Sequence, residues 1–507
     1  MRKVVPAVNL ASNVVRSAST HADRDALRLG DSTVSYRQLD QDSAHVAGLL
    51  RDRGMRPGDR VGIMLPNTPE FGLVYQSVLR AGGVVVPMNP LLKAREVAYY
   101  LSDSGARLMF GWHAMADEAE TGAKQAEADA IIVDPTGFGG VVASARPEAE
   151  VVERDDDDTA VILYTSGTTG HPKGAELTHS SLSRNTEIVC RELLELTADD
   201  VIFGGLPLFH AFGQTCTLNA AAWSGACVTL LPRFDAAQAL RILADHRVTI
   251  FEAVPTMYSA LLSVPDRDGY DVSRLRRCIS GGAAMPVEVL RAFESAFGCV
   301  VLEGYGLSET SPVASFNHPE RERKPGTIGT PVRGVQMRVV DKTGNEVPQG
   351  ETGEIEIKGH NVMKGYWRRR EETAAAIQDG WFRTGDIGRV DEDGYFSIVD
   401  RKKDLIIRGG YNIYPREIEE VMYEHPAVAE AAVIGLPHPE LGEEVAAAVT
   451  LKPGASATPD ELRDHVKRQV AAYKYPRKVW IVDALPKTST GKIVKREIVP
   501  PDDLGDR

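Results

Sequence analysis

The sequence predicts an α/β protein with a large N-terminal domain of layered helices and sheets and a small α+β domain after it. At 507 residues the chain is too long for one simple core, so two or more domains are expected. Residues 35–110 alternate helix-period and strand-like apolar segments, which indicates βα units and a largely parallel sheet. Farther along, short strands and two helices, 415–424 and 459–472, predict the small domain. The predicted domains are 1–400 and 401–507.

Apolar spacing places the elements of the large domain in order. The first predicted elements are helix 36–53, strand 60–65, helix 70–80, strand 84–88 and helix 94–102. Residues 118–150 have weak periodicity and are predicted as surface helix and loop. Short apolar runs at 160–163 and 277–279 predict buried strands, and a helix is expected to begin at Pro286, because proline is favoured in a first helical turn.

Composition narrows the class of protein. The hydrophobic fraction of 43% and the charged fraction of 25% are ordinary for a globular protein, and no run of 18 apolar residues predicts a membrane span. A net charge of −13 argues against general affinity for nucleic acid or anionic membranes. Five widely spaced cysteines without a C-x-x-C pair suggest neither a disulfide framework nor a zinc site, which fits the cytoplasm. Peripheral membrane contact stays open, as does the choice between monomer and homodimer.

A glycine-rich stretch at 164–174 directly follows the predicted strand 160–163. Glycines allow close backbone approach to a ligand, the threonine and serine hydroxyls are hydrogen-bond donors, and Lys173 adds positive charge. The spacing differs from the P-loop because two residues separate Gly170 from the lysine. The number of hydroxyl side chains and glycines within these eleven positions favours a phosphate-binding loop over an ordinary surface turn. The candidate phosphate-binding residues are Thr165, Ser166, Gly167, Thr168, Thr169, Gly170 and Lys173.

Two later motifs carry nucleotide chemistry. Residues 303–310 read Glu-Gly-Tyr-Gly-Leu-Ser-Glu-Thr, in which Tyr305 can stack on a purine and Ser308 can donate to a phosphate. Glu309 can bring Mg²⁺ to phosphate oxygens, since Mg²⁺ takes one or two protein carboxylates together with phosphates and waters. Asp386, which ends the motif Trp-Phe-Arg-Thr-Gly-Asp, can accept hydrogen bonds from both ribose hydroxyls.

These motifs, in this order, resemble the signature of the acyl-adenylate-forming (AMP-binding) superfamily, most of all the fatty-acyl-CoA synthetases. The resemblance extends over nearly the whole chain, as far as Lys492. It implies that ATP and a carboxylic acid form an acyl-adenylate with release of pyrophosphate, after which the acyl group passes to CoA. It also implies Mg²⁺, with Glu309 and Thr165 as metal ligands.

The same resemblance assigns roles along the chain. It implies that Lys492 is essential for adenylate formation, that His210 lines the carboxylate pocket, and that both are catalytic together with Glu309. Lys403 would be the hinge, within 400–403, about which a mobile small domain turns. Further nucleotide or CoA contacts are implied at Gly281, Gly282, Ala283, Glu303, Gly304, Tyr305, Gly306, Ser308, Asp386, Arg401, Gly409, Gly410 and Tyr411.

Small and apolar residues in the predicted acyl pocket indicate which class of carboxylic acid is the substrate. The predicted acyl pocket contains Phe209, Val254, Ala284 and Leu307, without a lysine or arginine nearby for a second carboxylate, so a dicarboxylate such as malonate is disfavoured. A medium- or long-chain fatty acid is the first prediction. An aryl acid of the 4-coumarate type is the alternative, and a nucleotide-binding relative without catalysis is an alternative from another class.

Overall fold

The structure, a computed structural model, describes residues 9–165, 172–401, 404–409, 411–489 and 491–501. Its described strands form four sheets, and helices pack on them. The α-helices are Ser12–Thr20, Tyr36–Asp52, Pro69–Arg80, Ala94–Ser104, Ala116–Gln125, Phe138–Ser144, His179–Ile188, Ala220–Ser224, Ala236–Asp245, Pro255–Leu262, Val287–Phe297, Arg370–Ala376, Pro415–Tyr423 and Pro459–Lys467. Among these, no helix combines the length and apolar character needed to cross a bilayer.

A seven-stranded sheet holds the first βα units. Its strands, in spatial order, are Gly365–Tyr366, Lys173–Thr178, Thr159–Thr165, Val84–Pro87, Arg60–Met64, Leu108–Trp112 and Asp129–Val133. The pairs from Thr159–Thr165 to Asp129–Val133 are parallel, which confirms the predicted sheet. The last two strands at the other edge, Lys173–Thr178 and Gly365–Tyr366, run antiparallel.

A nine-stranded sheet carries the second half of the large domain. Its spatial order is Thr330–Pro331, Val313–Phe316, Val301–Gly306, Arg277–Ser280, Ile250–Ala253, Val201–Gly204, Cys227–Leu230, Asp25–Leu29 and Ser32–Ser35. The six central strands are parallel, and antiparallel strands lie at both edges. Four neighbouring parallel strands therefore release their following loops at one edge of the sheet, which is where α/β sheets bind ligands.

The two remaining sheets have five strands each. The third contains Val335–Val340, Gly353–Gly359, Trp381–Val390, Ile377–Gln378 and Phe396–Arg401. The fourth contains Tyr411–Ile413, Ile406–Arg408, Gly442–Leu451, Val428–His438 and Lys478–Ile481, and with helices Pro415–Tyr423 and Pro459–Lys467 it forms the small α+β domain. The boundary at 400–403 stays a prediction, because residues 402 and 403 lie outside the described chain.

The structure corrects two predicted elements. The segment predicted as surface helix and loop, 118–150, contains the edge strand Asp129–Val133. Its Ile131 and Val133 are buried, whereas the residues between and before them are partly exposed, so this short strand leaves only a weak alternating signal. The helix predicted over 459–472 ends earlier, at Lys467.

Candidate active site

A cavity of about 810 Å³ lies at the carboxyl ends of the central strands of the nine-stranded sheet. Loops that follow Val201–Gly204, Ile250–Ala253, Arg277–Ser280 and Val301–Gly306 all contribute to its wall. The predicted site residues that line it are Thr165, Lys173, Phe209, His210, Val254, Gly281, Gly282, Gly304, Tyr305, Gly306, Leu307, Ser308, Glu309, Asp386, Arg401 and Lys492. The tertiary fold thus brings together motifs that are widely separated in sequence, from Thr165 to Lys492.

Several predicted residues lie elsewhere. A smaller cavity of about 220 Å³ beside the first is lined by Ala283, Ala284 and Glu303, which do not line the larger one. Ala284, predicted for the acyl pocket, is therefore not brought to the large cavity. Gly409 and Tyr411 line neither cavity, and Tyr411, which is 58% exposed, stacks on Tyr473 of the small domain with ring centroids 4.7 Å apart. Ser166, Gly167, Thr168, Thr169, Gly170, Lys403 and Gly410 lie outside the described residues.

The part of the cavity that is predicted to bind phosphate is formed by a β-hairpin. Thr165 ends one strand and Lys173 begins the next, and the two are directly paired across the sheet, so both ends of the glycine-rich loop reach the cavity. Glu309 Oε1 accepts hydrogen bonds from Thr165 Oγ1 and Tyr366 Oη, each 3.1 Å away. The Lys173 ammonium lies 5.5 Å from the centroid of the Tyr366 ring, within reach of a cation–π interaction.

Tyr366 is a site residue that the sequence analysis missed. Burial, and then the charge of Glu309, raise the pKa of its hydroxyl, which therefore stays protonated and donates to the carboxylate. It belongs to the two-residue strand Gly365–Tyr366, which pairs with Lys173–Thr178. No local motif marks it, because its position depends on a strand pairing across nearly two hundred residues.

The part of the cavity that is predicted to bind the ribose contains paired polar and charged side chains. Asp386 is almost fully buried, its Oδ2 accepts a 2.6 Å hydrogen bond from Tyr305 Oη, and its Oδ1 lies 3.1 Å from Arg401 Nε. The last contact follows from register, since Asp386 and Arg401 face each other on adjacent antiparallel strands. Burial and then the neighbouring Asp386 raise the pKa of Tyr305. The carboxylate is thus held in one orientation before any ligand binds.

His210 and Lys492 meet at the same cavity from different parts of the chain. Burial and then the charge of Lys492 lower the pKa of His210 to about 4, so its ring is neutral at neutral pH. Its Nδ1 accepts a long, 3.5 Å hydrogen bond from the Phe212 amide, which leaves Nε2 to carry the proton. Thr256 Oγ1 donates to the Gly491 carbonyl at 3.1 Å and ties the lysine-bearing turn to the large domain.

Most of the remaining cavity lining is apolar. The apolar residues there include Leu163, Val189, Leu193, Leu194, Leu206, Phe212, Cys216, Ile279, Val313 and Phe316. Three of these residues come from or directly follow the π-helical turn Val189–Leu193, which has no recognisable sequence signal. Among the described residues, the lysine and arginine side chains on the wall are Lys173, Arg383, Arg401 and Lys492, and all belong to segments that are predicted to bind the nucleotide.

One acid, Glu252, also lines the cavity and was missed. It lies inside the apolar strand Ile250–Ala253, is fully buried, and accepts a 2.5 Å hydrogen bond from Thr217 Oγ1. Burial raises the pKa of its carboxyl to about 8. The sole sequence signal was an acid within the apolar run Ile-Phe-Glu-Ala-Val.

The layered fold and a cavity that joins paired charges to an apolar pocket define a two-domain nucleotide-binding enzyme. Comparison with known protein families identifies the family to which this enzyme belongs. Residues 14–367 match the AMP-binding enzyme family, and residues 417–492 match the AMP-binding enzyme C-terminal domain. The chain belongs to this family and is an AMP-forming acid–thiol ligase, an acyl- or aryl-CoA ligase.

Known relatives span nearly the full chain. A long-chain-fatty-acid–CoA ligase of Bacillus subtilis (strain 168) is 37% identical, with 98% of this chain and 95% of the relative covered. A feruloyl-CoA synthase of Amycolatopsis sp is 38% identical, with coverage of 96% and 98%. The crystal structure of ATP-bound MatB from Rhodopseudomonas palustris has a TM-score of 0.90 at 35% identity, with coverage of 97% and 98%.

Proposed function

We propose that the protein is an ATP-dependent fatty acid–CoA ligase that activates a medium- or long-chain carboxylic acid. One observation carries the proposal: a single cavity joins a charged end, with Lys173, Glu309, Asp386 and Lys492, to a long apolar end. The charged end suits ATP, and the apolar end suits an acyl chain. Their continuity would hold the acid's carboxylate beside the α-phosphate.

In the first half-reaction a carboxylate oxygen attacks the α-phosphorus of ATP, and pyrophosphate leaves. Two anions must approach each other, so the site needs fixed positive charge and in-line geometry. Lys492 would bridge the carboxylate and α-phosphate oxygens, while Lys173 would hold the departing phosphates. A neutral His210 can donate from Nε2 to the acid without adding a titratable charge.

The donor set around Glu309 fits a magnesium ion. Both neighbouring hydroxyls donate to Oε1, which leaves Oε2 without a side-chain hydrogen bond from the described residues. Within the described chain no group of three or more acidic, histidine or cysteine side chains is arranged to hold a metal ion by itself, and one carboxylate together with phosphates and waters is a usual Mg²⁺ environment. Glu309, with Thr165 beside it, would hold the ion, which would neutralise charge on the phosphates when bound.

The second half-reaction replaces AMP by the CoA thiol. Lys492 lines the cavity whereas Gly409 and Tyr411 do not, so the present domain arrangement suits adenylate formation. Rotation about Lys403 would withdraw the lysine and bring the 409–411 loop forward, so one pocket could serve both steps. Unequal loss of the two half-reactions in the Lys492→Ala variant would support this division.

The residues that line the apolar end limit which acids could be substrates. Among described lining residues, no lysine or arginine lies in its segments, which disfavours a dicarboxylate. An aryl acid is the second candidate, because a relative of similar identity is a feruloyl-CoA synthase. A cytoplasmic location remains a prediction from the cysteine pattern.

Turnover of a panel of acids tests the proposal. Purified protein would be given ATP and Mg²⁺, with and without CoA, and AMP release measured for acids from acetate to palmitate, together with coumarate and malonate. CoA-dependent turnover that peaks on one aliphatic length is the expected result. A peak on coumarate would move the assignment to aryl acids. ATP binding without acid-dependent AMP release would overturn the proposal in favour of a non-catalytic relative.

A further inference from the structure

Glu252 is an acidic side chain in the apolar part of the cavity wall, and it has no role in the chemistry described above. Glu252 belongs to the strand Ile250–Ala253 and so lies within the sheet, one residue before the edge from which the reactive loops begin. Its Oε2 accepts the hydrogen bond from Thr217, while its Oε1 has no partner among the described residues. Ile279, paired with it on the next strand, is an apolar member of the same wall.

A carboxyl in this environment is costly unless its second oxygen is hydrogen-bonded. Burial of an ionised carboxylate is strongly unfavourable, and the raised pKa of about 8 keeps Glu252 neutral at pH 7. A neutral carboxyl offers one O–H donor and a carbonyl acceptor. Because Oε2 accepts the hydrogen bond from Thr217, the proton of the neutral carboxyl is on Oε1, which can donate to an acceptor on the ligand, and a hydroxyl oxygen is such an acceptor.

A second buried side chain, Gln214, shows that an unpartnered polar group need not face the cavity. Gln214 is almost fully buried, and both atoms of its amide also lack partners within the described residues. It does not line the large cavity, whereas Glu252 does. Glu252 therefore lines the cavity that is proposed to hold the acyl group and Gln214 does not, so Gln214 provides a matched control.

We propose that Glu252 determines substrate specificity by hydrogen-bonding a hydroxyl group on the acyl moiety, remote from the reacting carboxylate. The preferred substrate is then a hydroxylated acid whose remaining body is apolar. This inference rests on the proposed ligase function and narrows its substrate class. Acids that lack the hydroxyl leave Oε1 unsatisfied, and a site built to hydrogen-bond a substrate hydroxyl rejects such analogues.

Matched pairs of acids test the inference. AMP release that depends on CoA would be measured for 10-hydroxydecanoate against decanoate and for 4-coumarate against cinnamate. We expect the wild type to prefer the hydroxylated member of at least one pair by about 10-fold or more in kcat/KM. Glu252→Leu should reduce that preference to about 2-fold or less, because a leucine wall no longer penalises the deoxy acid. Glu252→Gln, which keeps a donor and an acceptor, should retain part of the preference, and Gln214→Leu should retain all of it.

The outcomes separate the two proposals. Turnover of both members of each pair at equal efficiency by the wild type would overturn the inference and leave the ligase function intact. A preference that survives in Glu252→Leu would also overturn it and assign the carboxyl to packing alone or to a buried water. If Glu252→Leu does not fold, the wild-type ratio and Glu252→Gln still decide. Silence with every acid would overturn the ligase proposal, and this inference with it.

Discussion

The two ends of the large cavity are built on opposite principles. At the proposed nucleotide end each carboxylate has partners before a ligand binds. Asp386 accepts a hydrogen bond from Tyr305 and forms an ion pair with Arg401. Glu309 accepts hydrogen bonds from Thr165 and Tyr366. At the proposed acyl end most of the wall is apolar, and the carboxyl of Glu252 is buried and neutral, with Thr217 as its hydrogen-bond donor. Charged side chains that are already oriented would therefore support the chemistry. The shape of the apolar part of the cavity, together with polar groups such as Glu252, would select the acid.

This difference has energetic consequences. Preoriented charges need little reorganisation during reaction, so loss of one affects catalysis steeply. Apolar walls instead contribute roughly in proportion to buried area, about 0.8 kcal/mol per buried methylene. We therefore expect substitutions at the nucleotide end to abolish turnover of every acid, and substitutions at the acyl end to change the ranking of acids.

The largest expected effect is at Lys492. Lys492→Ala removes the charge between carboxylate and α-phosphate, so adenylate formation should fall about 100-fold or more. Transfer from preformed acyl-adenylate to CoA should fall much less. Acid-dependent exchange of pyrophosphate into ATP measures the first step, and thioester formation measures the second. Lys487→Ala, which breaks an exposed pair with Glu430 outside the cavity, is the control; equal loss in both half-reactions of Lys492→Ala would contradict the assignment.

A smaller effect is expected at Asp386. Asp386→Asn leaves Arg401 without its carboxylate and weakens the grip on the ribose, so the KM for ATP should rise about 10-fold. Relative kcat/KM values across the acid panel should stay unchanged, because the acyl end is untouched. Steady-state kinetics with ATP and then with acid varied would measure both, and an altered acid ranking would break the separation of the two ends.

The reciprocal change is Phe209→Ala. Removal of a ring from the cavity wall enlarges the acyl end, so kcat/KM for longer or bulkier acids should rise several-fold relative to shorter ones. The KM for ATP should stay within about 2-fold of the wild type, since no nucleotide contact is removed. A changed KM for ATP with the acid ranking preserved would place this residue at the other end.

The last expected effect is on stability rather than on kinetics, and it depends on pH. Glu252 has a pKa of about 8 when folded against an ordinary value of 4.5, so its neutral form contributes stability that is complete below about pH 4.5 and is lost as pH rises to about 8. Glu252→Gln has no such titration. Its Tm relative to wild type should therefore increase from pH 5 to pH 8 and level off above. Glu303, whose pKa burial raises to about 7, titrates in both proteins and cancels. A Tm difference that is constant from pH 5 to 8 would show that Glu252 is not a buried neutral acid.

Local sequence patterns predicted most helices and strands and many of the residues that line the charged end of the cavity, because these features depend on residues that are close in sequence. Thr165 and Lys173 are close in sequence and become partners across one hairpin, so their chemistry is legible in a single motif. Tyr366 reaches Glu309 through a two-residue strand paired far along the chain, and no short window contains that information. The strand Asp129–Val133 was missed for a related reason, since its place is decided by pairing at a sheet edge.

By itself the sequence determined the family, the α/β class and the large and small domains, and it predicted most of the residues that line the charged end of the cavity. Those features depend on periodicity and on groups held within one loop or turn. Only the tertiary structure decided that Ala284 lies beside a second cavity, that Val189–Leu193 forms apolar wall, and that Glu252 faces the acyl end. Burial and cavity shape depend on which distant strands and helices become neighbours, and the energy of an acid such as Glu252 depends on those neighbours rather than on its own place in the chain.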